Sequence, residues 1–561
     1  MLLSWWCRQQ PRHYARPLIT TRIHLIRTLV TQPQQQRSVF NKNGWEAIIG
    51  VEVHAQIDSK TKLFSDMETS YEEPPNSKVS MVDLAFPGVQ PRLNERCVEL
   101  AVKTALALKA DVQPRSRFDR KHYFYPDLPQ GYQITQQREP IARGGMIALT
   151  QLDGVPEPFI VGLHQIQLEQ DTGKSMHDMI VASTLLDMNR AGTGLMEIVT
   201  QPDLRSSFEA GLLVKKLQSI LQCVGSSQAS MNEGSMRCDV NVSVHRQGEP
   251  FGTRCEIKNL NSVRFLSMAI DAEIERQIQL IENGGVVKAE TRGFDVGAKK
   301  TLKLRSKETA PDYRYMPEPD LPPLVLTNTY IESLSHELPE LPDETRARIM
   351  ERYNMSLDDA HALLNEPGSL AFFEKVCQGR NPQAVLNWTV NDLFGELAKR
   401  EIPFTKSPIS IEQMGSLVDL VQSNKITGKI GKDVLRTMLE QETDMMPQEI
   451  VDRKGWARID DSDLLKNLCG DLMTKHPDQV AKFQNGEMKV FKWFIGQIMR
   501  KTKGMADPVQ INKALCEALG CKSEDIAAAE ARGPTDKKKG GSGKQQQQQT
   551  KKDSKKSSSS S

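Results

Sequence analysis

The sequence predicts an α+β protein: one large mixed α/β domain on a sheet with a strongly polar face, then an all-helical domain and a helical tail domain. Three observations carry this. From Gly44 to about Val325, short segments alternate apolar and polar residues with period two, separated by Gly/Pro turns and a few helical stretches. Beyond the Pro-rich "EPDLPPLVL" (318–326) the apolar spacing turns helical and strand alternation stops. The alternating segments also place acids, bases and amides on one face only. The expected limits are 44–330, 331–406 and 407–530.

Composition sets the frame. The chain has 561 residues, 38% hydrophobic and 26% charged, which suits a soluble protein of several domains. No run approaches the ~18 apolar residues of a membrane span, so no membrane insertion is expected. Nine cysteines are scattered without a C-x-x-C pair, so reduced thiols are expected rather than a disulfide framework or zinc ribbon. Net charge is +2, but residues 1–45 carry seven Arg or Lys and no acid, and the 533–561 tail has net charge +6. The body between them therefore carries −11. It is no general nucleic-acid binder, and any RNA contact needs local basic patches. The Arg-rich, acid-free stretch over 1–40 reads as a mitochondrial transit peptide and predicts the matrix; a basic disordered arm is the alternative. The Lys/Gln/Ser-rich end, 533–561, reads as disordered low complexity.

Element by element, "GVEVHAQI" (50–57) is the first clear strand. Glu52, His54 and Gln56 share one face, and Val51, Val53, Ala55 and Ile57 the other. "RCVELAVKTALALKA" follows as an amphipathic helix. "FDRKHYFYPDLPQGYQIT" (118–135) interleaves Arg120 and Lys121 with aromatics and prolines. Such a segment can hold phosphates and stack on bases, or be a structural loop docked on the core. "QIQLEQDTGK" (165–174) aligns Gln165, Gln167, Glu169 and Asp171; "LMEIV" offers Glu197 between apolar neighbours. "RCDVNVSV" (237–244) aligns Arg237, Asp239, Asn241 and Ser243, and "TRCEIKNLN" (253–261) aligns Arg254, Glu256 and Lys258. Among the later helices, Ser410 and Gln413 form a capping box ahead of Met414, Leu417, Val418 and Val421. Phe491, Phe494, Ile495 and Ile498 make a second stripe, and Asp507-Pro508 starts a last helix that ends near Gly520.

Four or five strands with polar residues spaced by two point to a site, because crowded carboxylates repel unless a cation compensates. Glu52, His54, Glu169 and Asp239 suit a divalent ion, and a mostly oxygen set favours magnesium or manganese over zinc. Arg237, Arg254 and Lys258 suit phosphate. A solvated face laced with cross-strand ion pairs explains the same pattern and stays open here. "GSSQAS" (225–230) lacks the Gly-rich frame and companion Lys of an amidase nucleophile, and the chain has no Walker A sequence.

Together, "IIGVEVHAQI", "LAFPGVQPRLN", "FDRKHYFYPDLPQGYQIT", "LEQDTGKSMHD", "DMNRAGTGLMEIV", "GSMRCDVNVSV", "EIKNLNSVRF" and "DYRYMPEPDLPPL" closely resemble the B subunits (GatB) of glutamyl-tRNA(Gln) amidotransferases. The resemblance is specific over 44–326 and looser to about 520, and the basic N-terminus suggests a mitochondrial form. It implies a catalytic cradle domain, a helical domain and a tail that holds tRNA. It also implies a heterotrimer with a GatA-like amidase, which releases ammonia from glutamine, and a small GatC-like subunit. With ATP and Mg2+ the GatB chain would convert the γ-carboxylate of Glu-tRNA(Gln) into an acyl phosphate that ammonia displaces. Carried over, the metal ligands are Glu52, His54 and the acid pair of "LEQD", with Asp239 added. From the residue pattern itself, Arg120, Lys121 and Lys258 are expected to serve the chemistry, and Arg237 and Arg254 to hold the nucleotide. The sequence departs from the family in two places. Gln170 replaces a second glutamate found in many bacterial members, which puts Glu169 in question as a ligand. The stretch between Phe64 and Phe86 lacks the zinc-binding cysteines of some members, so no zinc is expected. A non-catalytic tRNA-binding scaffold of the same complex is the alternative function, and use of Asp-tRNA(Asn) is left open.

Overall fold

The computed structural model describes residues 39–521, leaving out 40, 42, 71, 179–182, 307–311, 441–443, 460, 486 and 488. The expected targeting segment (all but Val39) and the low-complexity end lie outside the described residues. The chain forms two compact units, 1–349 and 350–561.

The first unit is built on ten strands: β1 (Trp45–Gln56), β2 (Asp111–Val112), β3 (Ala142–Arg143), β4 (Met146–Leu149), β5 (Phe159–Gln170), β6 (Gly194–Thr200), β7 (Met236–Arg246), β8 (Cys255–Leu260), β9 (Glu290–Asp295) and β10 (Lys300–Ser306). Their order is β10-β9-β8-β7-β1-β6-β5-β3-β2, with β4 also paired to β5. All pairings are antiparallel except β8 with β9. The apolar face carries Val51, Val53, Ile166, Ile198, Val240 and Val242. Helices α1 (Glu95–Ala107), α2 (Ser207–Val224) and α3 (Val263–Glu282) add Leu100, Leu213, Leu217, Leu266 and Ile270 to the same core. Each such side chain contributes roughly 1.5–3 kcal/mol when fully buried. The helices start where a side chain takes an otherwise orphaned amide. Asn94 accepts from Arg96 N, Ser206 from Glu209 N and Ser262 from Phe265 N. Gly225, with φ +70°, ends α2 in the left-handed region that glycine occupies without strain.

The polar face is not the wet face its alternation allows. Gln165, Gln167, Glu169 and Glu197 are buried. A small three-stranded sheet (119–122, 132–135 and 316–317) lies against them. The loop between Phe64 and Phe86 is pinned by the buried pair Lys62–Asp83 at 2.8 Å and by Asn76 on Leu186 O at 2.9 Å.

Helix α4 (Asn328–His336) sends Leu334 into the first unit's core. The next helix, from Pro342, is held to the same unit by Lys216–Asp343 at 2.6 Å and Arg346–Asp153 at 3.2 Å. In the second unit, helix Ile411–Gln422 packs on Ser369–Val376, and Arg380 grips Asp419 through two 2.8 Å bonds. In the second unit the Ser410–Gln413 capping box forms as expected. Phe491, Phe494 and Ile498 meet Leu465, Cys469, Ile511 and Leu515 in one core.

Candidate active site

Register assembles the site. His54 on β1 stands opposite Arg237 of β7 and Glu197 of β6; Glu52 stands opposite Asp239; Glu197 stands opposite Gln167 of β5. Directly opposed residues share a face, so the polar row crosses four central strands. His54 Nε2 lies 3.1 Å from Glu52 Oε1. Ligand atoms of Glu52, His54 and Glu197 all lie within 4.8 Å of one another.

The three groups set one another's charge. Burial pushes Glu52 up, but the hydrogen bond and charge of His54 outweigh it and hold the carboxyl at about 2. Burial works downward on His54; its hydrogen bond to Glu52 and the charges of Glu197, Glu169 and Glu52 lift it to about 9. Burial, then the charge of Glu169, raises Glu197 to about 8. Near neutrality, then, protons stand in for positive charge among the acids.

Beside this group opens a cavity of about 610 Å³, lined by His54 and by three ion pairs. Lys121 Nζ lies 3.3 Å from Glu169 Oε2, Lys258 Nζ lies 2.5 Å from Asp239 Oδ2, and Arg237 pairs with Asp171. Tyr123, Tyr125 and Tyr313 complete one wall, with Lys121 over the Tyr313 ring at 5.5 Å. Across from them, Lys258, Asn259, Leu260 and Asn261 all line the cavity although they are consecutive. The register shift between Cys238 and Val240 and the left-handed Asn259 (φ +64°) break the alternation there.

Several expected roles are re-sorted. Arg120 is turned away: it forms two 2.8 Å bonds to the buried Glu318 and lies 4.4 Å over the Tyr132 ring. It is a structural clamp, because neighbours in a strand point to opposite faces and Lys121 takes the cavity side. Arg254 precedes β8, is exposed and is not among the residues lining the cavity. Glu169 and Gln170 point apart in the same way. Glu169 faces the cavity, while Gln170 accepts from Ile134 N at 3.4 Å. Glu169 and Asp239 are held by lysines, and the third member of the donor group is Glu197, which sequence reasoning alone leaves out of the ligand set. Its position opposite His54 is the signal, and only the pairing register shows it.

The donor set of two carboxylates and one imidazole fits a divalent cation of the magnesium or manganese kind, with places left for water or phosphate. The fit rests on the convergence of three half-buried or buried donors. The neighbouring Lys121, Arg237 and Lys258 suit phosphate oxygens.

Comparison with known proteins agrees with this architecture. The profile of the "GatB/GatE catalytic domain" matches residues 47–332, and that of the "GatB domain" matches residues 371–519. Curated relatives named as the B chain of aspartyl/glutamyl-tRNA(Asn/Gln) amidotransferase include the Granulibacter bethesdensis protein, 47% identical over 85% of this chain and 98% of the relative. The Azorhizobium caulinodans protein is 46% identical over 85% and 96%, and the Rhizobium meliloti protein 45% over 88% and 98%. The chain therefore belongs to the GatB family of the tRNA-dependent amidotransferases.

Proposed function

We propose that the chain is the carboxylate-activating subunit of a heterotrimeric glutamyl-tRNA(Gln) amidotransferase of the mitochondrial matrix, working with a GatA-like amidase and a small GatC-like subunit. The observation that carries the catalytic reading is the Glu52–His54–Glu197 group beside a cavity whose lysines and arginine face inward. The names of the relatives cover both Asn and Gln tRNAs; the narrower Gln assignment is our reading. The matrix assignment is supported by the acid-free, Arg-rich stretch ahead of the matched region, which begins at residue 47.

The chemistry needs two displacements. An oxygen of the substrate γ-carboxylate attacks the γ-phosphorus of ATP, and ADP leaves. Ammonia then attacks the acyl carbon, loses a proton, and inorganic phosphate leaves to give the amide. Glu52, His54 and Glu197 would hold a divalent cation, which would supply charge shielding when bound. Lys121, Arg237 and Lys258 bind phosphate oxygens and keep the transferring group oriented. Tyr123, Tyr125 and Tyr313 flank these phosphate-binding groups.

Residues of the second unit supply tRNA affinity. Thr427 Oγ1 donates to Gly504 O at 2.6 Å, joining two basic segments far apart in sequence. Exposed Lys425 and Lys429 thereby share a surface with Lys501 and Lys503. Co-expression with candidate partner subunits tests the whole reading. The expected complex contains three chains and converts Glu-tRNA(Gln) to Gln-tRNA(Gln) with glutamine and ATP; a stable complex with no ATP-dependent conversion contradicts it.

A further inference from the structure

We propose that Gln167 is a positioning residue for the Glu52–His54–Glu197 group, fixing which oxygen of Glu197 is offered to a divalent cation. The inference rests on reading that group as a cation site. Gln167 lies on β5 directly opposite Glu197 and is 1% exposed. Its Nε2 donates to Glu197 Oε2 and to Thr135 Oγ1, the latter at 3.2 Å. Its Oε1 accepts from Gln165 Nε2. Both amide hydrogens and the amide oxygen are therefore engaged, and turning the amide over would set its oxygen against the carboxylate. Thr135 and Gln165 are buried too, so the amide is held from both sides. With Oε2 of Glu197 occupied, Oε1 is the oxygen left for a cation shared with Glu52 and His54. A buried amide filling space needs no such register: the Gln165–Gln167–Glu197 line runs straight into the donor group. Partners behind metal ligands commonly change metal affinity by about 10–100-fold when removed.

The test is Mn2+ binding to the full-length chain, followed by electron paramagnetic resonance, with a thermal melt of each variant. Gln167→Met keeps the volume and removes the hydrogen bonds. Gln167→Asn keeps a buried amide but withdraws it by one methylene, and guards against a folding defect in the first. Both should weaken Mn2+ binding about 10–100-fold with little change in melting temperature. In a Glu197→Gln background, Gln167→Met should add no further loss, because its effect runs through Glu197. Unchanged Mn2+ affinity in both variants, or an equal loss with and without Glu197, overturns the inference. If the unaltered chain binds no Mn2+, or binds it without regard to Glu52→Gln, the cation-site reading itself falls, which is a distinguishable result.

Discussion

The cavity of the first unit and the basic surface of the second use positive charge in opposite ways. Around the cavity each cation is tied to a carboxylate: Lys121 to Glu169, Arg237 to Asp171, Lys258 to Asp239. Such pairs nearly cancel at a distance and act only at contact range, where they fix the direction of each ammonium or guanidinium. In the second unit Lys425, Lys429, Arg500, Lys501 and Lys503 are exposed, and of the basic residues of these two segments Lys432 is seen paired, with Asp392 at 2.6 Å. A body of net charge −11 attracts no polyanion as a whole; on the proposed function, this local excess is where tRNA phosphates would bind. Balanced charges then flank the cavity, and unbalanced ones the basic surface.

The largest expected effect falls in the first region. His54→Ala should lower amide transfer by about a thousandfold or more, several kcal/mol of lost charge stabilisation. On the proposed function, glutaminase activity of the assembled complex should persist, because ammonia release would belong to another subunit. Parallel loss of both activities would mean a collapsed sheet rather than a missing ligand.

The adjacent pair Arg120 and Lys121 separates structure from chemistry. Lys121→Met should cost about a hundredfold in turnover with the fold intact. Arg120→Met should instead cost about 3–5 kcal/mol of stability, because it strands the buried Glu318 charge. A melting curve for each variant decides, and a normal melt for Arg120→Met would remove its clamp role.

Charge reversal in the second region should be milder. Lys429→Glu combined with Lys503→Glu should raise the KM for tRNA about tenfold and flatten its salt dependence by about two phosphate contacts. Turnover at saturating tRNA should be unchanged; an unchanged salt slope would dismiss this surface. The smallest effect is Ser410→Ala, which removes the capping box at Gln413 and should cost about 1 kcal/mol in urea unfolding of the second unit.

Alternation made much of this legible in the sequence. The faces of β1, β5 and β7 follow from period two, and the helical stripes at 414–421 and 491–498 became cores as spaced. What escaped was pairing. Glu197 reads as an isolated acid in an apolar strand until register sets it opposite His54. Composition groups Arg120 with Lys121, although strand geometry alone sends them to opposite sides. Gln170 and Glu169 differ for the same reason. The two basic segments of the second unit lie far apart in sequence, and contacts such as Thr427–Gly504 show that they share a surface.

The proposal that the first unit's cavity activates a tRNA-borne carboxylate at the Glu52–His54–Glu197 group has a direct readout. It is tested most directly by single-turnover ADP formation in the assembled complex without glutamine. ADP should form with Glu-tRNA(Gln) and not with uncharged tRNA, and Glu197→Gln should abolish it while tRNA affinity stays the same. ADP formation that persists in Glu197→Gln, or that proceeds equally with uncharged tRNA, would contradict the account.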